Sequence, residues 1–459
     1  MKEKKKVVIQ IQNISKGFGL LYEMGCGKTL TAIAIMGALY ERGRIDKVLI
    51  VAPGSVCSVW PNELKEYADF KYQAALLLGE KKKRLEALGK LAASPWEGLK
   101  VAVINYESTF REGIEEAIDS WAPDMVIADE SQRIKNPSAK QSKALHHFGD
   151  NAKYKLILTG TPVQNNAADF YSQYRFLEPS IFGLNYYAFR GRYCLMGGFN
   201  NKQIVGYKNK DELIRRAHSV AYRVTKEECL DLPEQTFIDL EVDFKASERK
   251  LYDQLRKASI AELESGDTVT ATIVLTKLLR LQQFTGGFLA GDKDGKVEQV
   301  SSAKLDALSE LLDDYCIDGG KKMVVFARFR AEIFAIEKLL KDKGIRYGLI
   351  YGDIPMSERD EVVQDFQHNP ETKVFLAQLA TANFGITLHA ASTAVFYSWD
   401  YNMAAYQQAT ARIHRIGQKQ PCTYIHLVVK DSIDAKVLKA LKAKEDLATS
   451  VVDNWRDYF

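Results

Sequence analysis

Three side chains near the carboxyl end of the chain have the types and the spacing needed to act on a phosphate chain. Gln408, Arg412 and Arg415 stand at positions i, i+4 and i+7, which places side chains on one face of a helix. The pattern therefore predicts a helix that presents two guanidinium groups together. Such a pair suits a nucleotide whose charge rises during hydrolysis, the task of an arginine finger. A solvated basic face is the alternative that the residues leave open.

A glycine-rich segment far upstream is the predicted binding site of that nucleotide. The string Gly25-Cys26-Gly27-Lys28-Thr29 follows a short apolar run and precedes a helix-forming run that starts at Leu30. In this setting backbone N–H groups close around phosphates, the lysine reaches the β and γ groups, and the threonine can hold Mg²⁺. Tyr22 stands where the full pattern has its first glycine, so a chance glycine-rich turn is the alternative.

Two further polar strings follow apolar runs that read as buried strands. Asp129 and Glu130 end one run, and Thr159 and Thr161 follow the next. Because ligands gather beyond the carboxyl ends of parallel strands, we expect these residues beside the phosphate loop. Asp129 would hold Mg²⁺ and Glu130 would orient or deprotonate the attacking water, while the two hydroxyls would bond to the acidic pair. A solvated acidic pair and an ordinary turn are the alternatives.

Apolar runs rich in Val, Ile and Leu form two separate series and predict an α/β fold with two parallel sheets. The intervening stretch shows few strand signals and helical patterns at 247–255 and 272–283. We therefore predict one lobe at 1–178, a helical insertion and connector at 179–300, and a second lobe at 301–459. The predicted strands are 18–22, 47–51, 101–105, 125–128 and 156–158 in the first lobe, and 323–326, 347–351, 374–377, 394–397 and 424–429 in the second.

Composition narrows the class of protein without deciding its partner. The 459 residues suffice for two or three domains, and 63 basic against 59 acidic residues permit nucleic-acid binding without demanding it. The six cysteines lack zinc or disulfide spacing, and one inside the phosphate loop favours a reducing cytosol. No apolar run approaches the roughly 18 residues that cross a bilayer. These features predict a cytoplasmic protein without a membrane partner.

Taken in order, these strings resemble the motifs of superfamily-two helicase-type ATPases, and more narrowly those of the SNF-type (sucrose-non-fermenting) family of DNA translocases. The resemblance covers almost the whole chain, and the ending His-Arg-Ile-Gly-Gln at 414–418 is specific to the family. Residues 230–233 and 248–252 resemble a family marker between the lobes. The remaining matches are 52–63 with motif Ia, 104–107 with Ib, 129–132 with II, 158–165 with III, 325–328 with IV, 384–388 with V and 408–418 with VI.

The resemblance implies two RecA-like lobes and an ATP hydrolase that uses Mg²⁺, with Gln408, Arg412 and Arg415 completing the ATP site from the second lobe. It assigns catalysis to Lys28, Glu130, Arg412 and Arg415, cofactor binding to Gly25, Cys26, Gly27, Lys28, Thr29, Leu30 and Gln408, metal binding to Thr29 and Asp129, and coupling to Gln132, Thr159 and Thr161. It assigns DNA-backbone contacts to Pro53, Ser55, Trp60, Tyr106, Arg328, Gly385 and Thr387.

Three positions depart from the family pattern. Gln132 replaces the usual histidine of motif II, residues 381–383 replace an Ala-Gly-Gly stretch, and only Gln10 and Gln12 precede the phosphate loop where a glutamine motif is usual. The resemblance predicts a DNA-stimulated ATPase that translocates on double-stranded DNA, of a compact bacterial or bacteriophage type. A strand-separating helicase and a nucleotide-dependent clamp are the alternatives. The sequence indicates no particular protein partner.

Overall fold

The computed structural model describes residues 17–163, 168–197, 203–229, 232–265, 271–290, 296–384, 386–399, 403–439 and 441. The chain divides into two compact units, one of residues 1–230 with 444–459 and one of residues 231–443. Each unit has its own parallel sheet. Among the helices that the structure describes, none combines the length and the apolar character needed to cross a membrane.

Unit 1, the amino-terminal unit, is built around a seven-stranded sheet whose neighbouring strands are all parallel. The order is β3-β4-β2-β5-β6-β1-β9, and a separate hairpin, β7-β8, lies outside it. The strands are β1 (Gly17–Tyr22), β2 (Lys47–Ala52), β3 (Tyr72–Leu77), β4 (Leu99–Asn105), β5 (Met125–Asp129), β6 (Tyr154–Leu158), β7 (Cys194–Gly197), β8 (Gln203–Tyr207) and β9 (Ala221–Val224).

Helices cover both faces of this sheet, so residues 48–52 and 125–128 of its central strands β2 and β5 are apolar. Successive residues of β1 enter different cores, with Leu20 in the cluster on one face and Leu21 in the cluster on the other, because side chains alternate along a strand. The helices are α1 (Lys28–Tyr40), α2 (Gly54–Cys57), α3 (Val59–Tyr67), α4 (Lys81–Ala93), α5 (Ile114–Trp121), α6 (Lys140–Asn151), α7 (Asp169–Leu177), α8 (Tyr186–Tyr193), α9 (Lys210–His218) and α10 (Lys226–Cys229).

Unit 2 contains a second parallel sheet, of six strands in the order β10-β17-β16-β13-β15-β14, and a small hairpin, β11-β12. Its strands are β10 (Gln235–Val242), β11 (Phe288–Ala290), β12 (Val297–Gln299), β13 (Met323–Ala327), β14 (Tyr347–Ile350), β15 (Val374–Gln378), β16 (Thr393–Phe396) and β17 (Cys422–Val429). Its helices are α11 (Ala246–Ser265), α12 (Ala271–Thr285), α13 (Ala303–Leu312), α14 (Arg330–Asp342), α15 (Met356–His368) and α16 (Met403–Thr410).

All ten strands predicted from the sequence are present, as are the helices at 247–255 and 272–283. The stretch 179–300 differs from the prediction, because it also supplies the edge strands β9 and β10 of the two sheets. Its residues are divided between the two units at 230 and 231. Strand β10 is exposed over most of its length and therefore lacks the continuous apolar run that marks a buried strand.

Candidate functional site

The glycine-rich loop between β1 and α1 has the backbone shape of a phosphate cradle. Gly25 and Gly27 have φ angles of 88° and 81°, a region in which only glycine is relaxed. Helix α1 begins at Lys28 with Gly27 at its N-cap and no side-chain cap. The first-turn N–H groups and the positive end of the helix dipole are therefore available to an anion.

The loop lysine is held over this cradle by the backbone of the preceding strand. Lys28 Nζ donates to the carbonyl oxygens of Tyr22 at 3.0 Å and Glu23 at 3.5 Å. Its charge also reaches Asp129, whose carboxylate it favours. The structure thus brings the lysine and the acidic pair, about a hundred residues apart in sequence, to one edge of the sheet.

Asp129 ends β5 as a buried carboxyl, and Glu130 follows it in a left-handed turn. Burial, reinforced by the charge of Glu130, raises the pKa of Asp129 to about 7, against the opposing effects of Lys28 and of two donors. Glu130 has φ 52° and its N–H donates to Asp129 Oδ1 at 3.0 Å. This turn directs the two neighbouring carboxyl groups differently, so one is enclosed while the other stays half-buried.

Trp60 and Tyr106, both predicted to contact DNA, are 1% exposed and support Asp129. Trp60 Nε1–H donates to Asp129 Oδ2 at 3.0 Å, and the Tyr106 hydroxyl donates to the Asp129 carbonyl oxygen at 2.7 Å. A side chain with this little exposure offers no surface to an outside ligand. The structure therefore corrects the sequence prediction: these two side chains position the acidic residue.

A chain of hydrogen bonds joins the acidic pair to the end of β6, with Gln132 between Glu130 and the Thr159 hydroxyl that was expected to bond to the acidic pair directly. Gln132 Nε2 donates to Glu130 Oε2 at 2.6 Å, and Thr159 Oγ1 donates to Gln132 Oε1 at 2.7 Å. The Thr161 N–H then donates to Thr159 Oγ1 at 3.0 Å. An amide can accept and donate at once, so glutamine completes a relay at the position where the family pattern has histidine.

Arg223 in β9 belongs to this site, although sequence reasoning did not identify it. Its Nη1 donates to the carbonyl oxygens of Leu21 at 3.0 Å and Gly160 at 3.1 Å, and its Nη2 pairs with Glu23 Oε1 at 3.1 Å. Arg223 is 5% exposed, and its guanidinium ties the strand before the phosphate loop to the turn after β6. An isolated arginine in a short edge strand carries no motif signal; its burial is visible only in the folded chain.

In unit 2 the predicted arginine helix ends before the arginines. Helix α16 stops at Thr410, and Arg412 and Arg415 lie on the turns that follow. The Thr410 carbonyl oxygen accepts a hydrogen bond from the Tyr424 hydroxyl at 2.7 Å. The Thr410 hydroxyl donates to the Gln407 carbonyl oxygen at 2.9 Å. Both bonds lie at the end of the helix. Because α16 ends at Thr410, Arg412 and Arg415 do not share a helical face with Gln408, and that prediction is wrong.

The two guanidinium groups nevertheless converge. Nη1 of Arg412 and Nη1 of Arg415 donate to the same carbonyl oxygen, that of Ile386, at 3.4 and 3.1 Å. The Arg412 carbonyl in turn accepts from the Leu388 N–H at 2.9 Å. The residues of the predicted motifs V and VI are therefore joined within unit 2, and the arginines form a pair by a route other than helical spacing.

The remaining predicted residues are distributed over both units. Arg328 donates to the Gln282 side chain, while Thr387 and Gln408 are half-buried. Pro53 is buried and precedes α2, which contains Ser55. Gly385, Gln10 and Gln12 lie outside the described residues. Thr29 and Leu30 lie in the first turn of α1, and Cys26 is buried in the loop.

The geometry of unit 1 suits a magnesium–nucleotide complex. The glycine conformations and the uncapped helix suit phosphate oxygens, and the lysine supplies a positive charge. Thr29 and Asp129 offer the oxygen ligands that Mg²⁺ prefers, and Glu130 supplies a carboxylate beside them. When bound, Mg²⁺ would neutralise charge on the phosphates.

Comparisons with known proteins agree on one family. The SNF2-related domain matches residues 5–286, and the helicase conserved C-terminal domain matches residues 303–417. An uncharacterized ATP-dependent helicase of Mycoplasma pneumoniae is 27% identical over 440 residues, covering 94% of this chain and 40% of its own length. The DNA repair and recombination protein RDH54 of Saccharomyces cerevisiae is 25% identical, covering 97% of this chain and 52% of its own.

A solved structure, the SWI2/SNF2 ATPase core of Sulfolobus solfataricus in complex with double-stranded DNA, is 23% identical with a TM-score of 0.45, and the match covers 98% of this chain and 91% of that one. The chain spans about half the length of the curated relatives it matches.

Proposed function

The chain belongs to the SNF2-related domain family, and from this premise we propose that it is a DNA-stimulated ATPase that translocates along double-stranded DNA. One observation carries the ATPase part of the proposal. Lys28, Asp129 and Glu130 meet at one sheet edge beside a glycine loop in a phosphate-binding conformation. A phosphate cradle alone would bind nucleotide, and the adjacent carboxylates add the means to hydrolyse it.

In this proposal each group has a separate task. Lys28 binds the β and γ phosphates, Thr29 and Asp129 hold Mg²⁺, and Glu130 orients the attacking water and accepts its proton. Arg412 and Arg415 act as arginine fingers on the charge that develops at the transferred phosphoryl group. The relay from Glu130 through Gln132 to Thr159 conveys the state of the nucleotide to the end of β6.

Family membership supports DNA as the track, and so does the yeast relative RDH54, which is a DNA repair and recombination protein. A motor that moves along DNA of any sequence has to bind the phosphate backbone, since base edges differ from site to site. Binding of this kind weakens steeply with salt, because counterions are released from the DNA. Because the net charge of the chain is only +4, we expect the DNA-binding surface to consist of local clusters of basic residues.

The test measures ATP turnover with no nucleic acid, with single-stranded DNA and with duplex DNA, using Lys28→Ala as the inactive control. We expect turnover to rise with duplex DNA and to be absent in the control. Displacement of a third strand from a triplex without unwinding of a fork identifies translocation; fork unwinding would identify a strand-separating helicase. ATP binding without turnover under all three conditions would leave a clamp and overturn the proposal.

A further inference from the structure

A buried arginine lies in unit 1, apart from the residues assigned to the nucleotide. Arg84, in the first turn of α4, is 8% exposed. Its Nε and Nη1 atoms are buried and make no hydrogen bond within the part of the chain that the structure describes. A guanidinium cannot shed its charge at physiological pH, and an unpaired buried charge opposes folding. Burial of Arg84 without these hydrogen bonds is therefore unfavourable to the free energy of folding.

The neighbouring charges are of the same sign. Burial lowers the pKa of Arg84, and the charge of Arg111 lowers it further, so the two guanidinium groups repel each other. Arg111 follows β4 and is tethered by its Nε to the Glu107 carbonyl oxygen at 3.2 Å. The Lys81 ammonium nitrogen lies beside Gly113, two residues after Arg111, since a Cβ built on Gly113 would be 2.8 Å from that nitrogen. Lys81 therefore adds a positive charge near Arg111.

Neither the Glu107 carboxylate nor the Cys57 thiol neutralises this cluster. The carboxylate of Glu107 is engaged elsewhere, accepting from Asn105 Nδ2 at 2.8 Å and facing Arg133 at 3.6 Å. The Cys57 thiol is close enough to interact with Arg84, but burial and the charge of Asp129 raise its pKa to about 12. It therefore stays neutral at physiological pH and leaves the arginine without a counter-charge.

Helix α4 adds to the positive potential at this place. It has 13 residues, no acidic residue in its first turn, and no side-chain hydrogen bond from its N-cap residue Glu80. The positive end of its dipole therefore coincides with Lys81 and Arg84. The helix start and the buried Arg84 therefore lie together in a region of positive potential, and Arg111 is near enough for its charge to act on Arg84.

We propose that Arg84, Arg111 and the first turn of α4 bind one phosphodiester group of a nucleic-acid backbone. The identity of this ligand rests on the proposed function, since DNA would supply the phosphate. Cys57 ends α2 within the predicted motif Ia, and Arg111 follows the predicted motif Ib. The site therefore lies beside the two segments of unit 1 expected to follow the DNA backbone. Arginine forks match phosphate oxygens and strengthen when water is excluded.

The experiment compares Arg84→Gln and Arg111→Gln with Lys90→Gln, which removes the same charge from an exposed position in the last turn of α4. Affinity for a duplex oligonucleotide is measured across a series of salt concentrations. Each arginine variant should lose roughly tenfold in affinity, and the slope of log K against log salt should become shallower by about 0.9. The lysine variant should keep both values. Arginine variants with the wild-type slope and affinity would overturn the site.

A second arm uses inorganic phosphate and separates this site from the proposed function. It is carried out in the Lys28→Ala background, so that the nucleotide loop does not contribute. Phosphate should raise the melting temperature of Lys28→Ala but not that of Lys28→Ala with Arg84→Met. The added methionine should itself raise the melting temperature by a few degrees, on the order of 2–4 °C, because it removes an uncompensated charge.

The outcomes of the two arms are distinct. Stabilisation by phosphate that depends on Arg84, in a protein that does not bind DNA, would sink the proposed function and keep the anion site. Normal DNA binding with no dependence on Arg84 or Arg111 would overturn the anion site and leave the proposed function standing. A lower melting temperature in Arg84→Met, together with an equal response to phosphate, would show a purely structural arginine and overturn the proposal.

Discussion

The two units hold their predicted catalytic groups in different ways. In unit 1 the carboxyl groups of Asp129 and Glu130 receive hydrogen bonds from the side chains of Trp60 and Gln132. In unit 2 the arginine pair lies on turns beyond the end of α16, and both guanidinium groups donate to the Ile386 carbonyl oxygen. The acids therefore accept hydrogen bonds from neighbouring side chains, whereas both arginines donate to a common backbone carbonyl oxygen.

This difference follows from the chemistry of the groups. A buried carboxylate needs donors to stay charged, and the support has to be built into the fold. A guanidinium bonded to a neutral carbonyl forms a stronger, charge-assisted bond when a phosphate oxygen replaces that carbonyl. Unit 1 thus presents a preorganised site, and unit 2 presents donors that can exchange a backbone acceptor for a ligand.

The largest expected effect on ATP turnover comes from removing an arginine of unit 2. Arg415→Ala should lower kcat for ATP by on the order of a thousandfold with little change in KM, because a finger acts mainly on the transition state. Steady-state ATP hydrolysis measures both constants, and Lys419→Ala, an exposed neighbour, is the control. A loss confined to KM would reduce Arg415 to a phosphate anchor.

On the acidic side, Glu130→Gln should lower turnover by about a hundredfold or more while ATP remains bound, because the general base is lost. An amide oxygen can still accept the bond from Gln132, so the relay geometry is kept and the loss reports the missing carboxylate. Single-turnover hydrolysis and equilibrium nucleotide binding are the measurements. Turnover close to wild type would reject Glu130 as the base.

The support of the acidic pair is tested by Trp60→Phe, which keeps the aromatic bulk and removes the N–H donor to Asp129. Loss of a hydrogen bond to a charged group is worth about 1.5–3 kcal/mol, so turnover should fall roughly tenfold or somewhat more. Affinity for duplex DNA should not change, because the side chain is 1% exposed. Tyr106→Phe is the matched variant, since its hydroxyl also bonds to Asp129. Weaker DNA binding with normal turnover would restore the DNA-contact assignment.

The smallest effect concerns a buried carboxyl in unit 2 with no catalytic assignment. Burial raises the pKa of Glu332 from 4.5 to about 7, despite donors that include the Ser398 hydroxyl and the Phe329 N–H. The folded state therefore keeps a proton that the unfolded state has lost, so the free energy of unfolding should fall as pH rises from about 4.5 to about 7. The span is at most about 3 kcal/mol.

Glu332→Gln should remove this share of the pH dependence, as measured by urea unfolding at pH 5 and pH 8, without changing ATP turnover at saturating nucleotide. A variant that retained the full slope would place the titrating group elsewhere. Asp129 has a pKa raised in the same direction, so a residual slope of the same sign is expected. The slope that the variant loses would then belong to Glu332 in unit 2, and the residual slope would belong to Asp129, the predicted metal ligand in unit 1.

Central strands and the phosphate loop were predictable because their signals are local. An apolar run bounded by small or polar residues specifies a buried strand without reference to the rest of the chain. Gly25 and Gly27 likewise supply conformations that few other residues adopt. The edge strands β9 and β10 were missed, since each depends on a neighbouring strand and carries no continuous apolar run.

The end of α16 and the partners of buried arginines could not be predicted in the same way. The carbonyl at the end of the helix accepts from Tyr424, which reaches it from β17. Arg223 acquires its role from the Leu21 carbonyl oxygen and the Glu23 carboxylate, some two hundred residues earlier in the chain. The local sequence of α16 or of β9 does not indicate these distant hydrogen-bond partners.

By itself the sequence determined at which strand ends the predicted site residues stand and which chemistry their types allow, because residue type and strand periodicity are properties of short segments. Only the tertiary structure decided which of those side chains are open to a ligand and which are buried supports, as with Trp60 and Tyr106. Burial and hydrogen-bond partners depend on segments distant in sequence, and the energy of a charge depends on both.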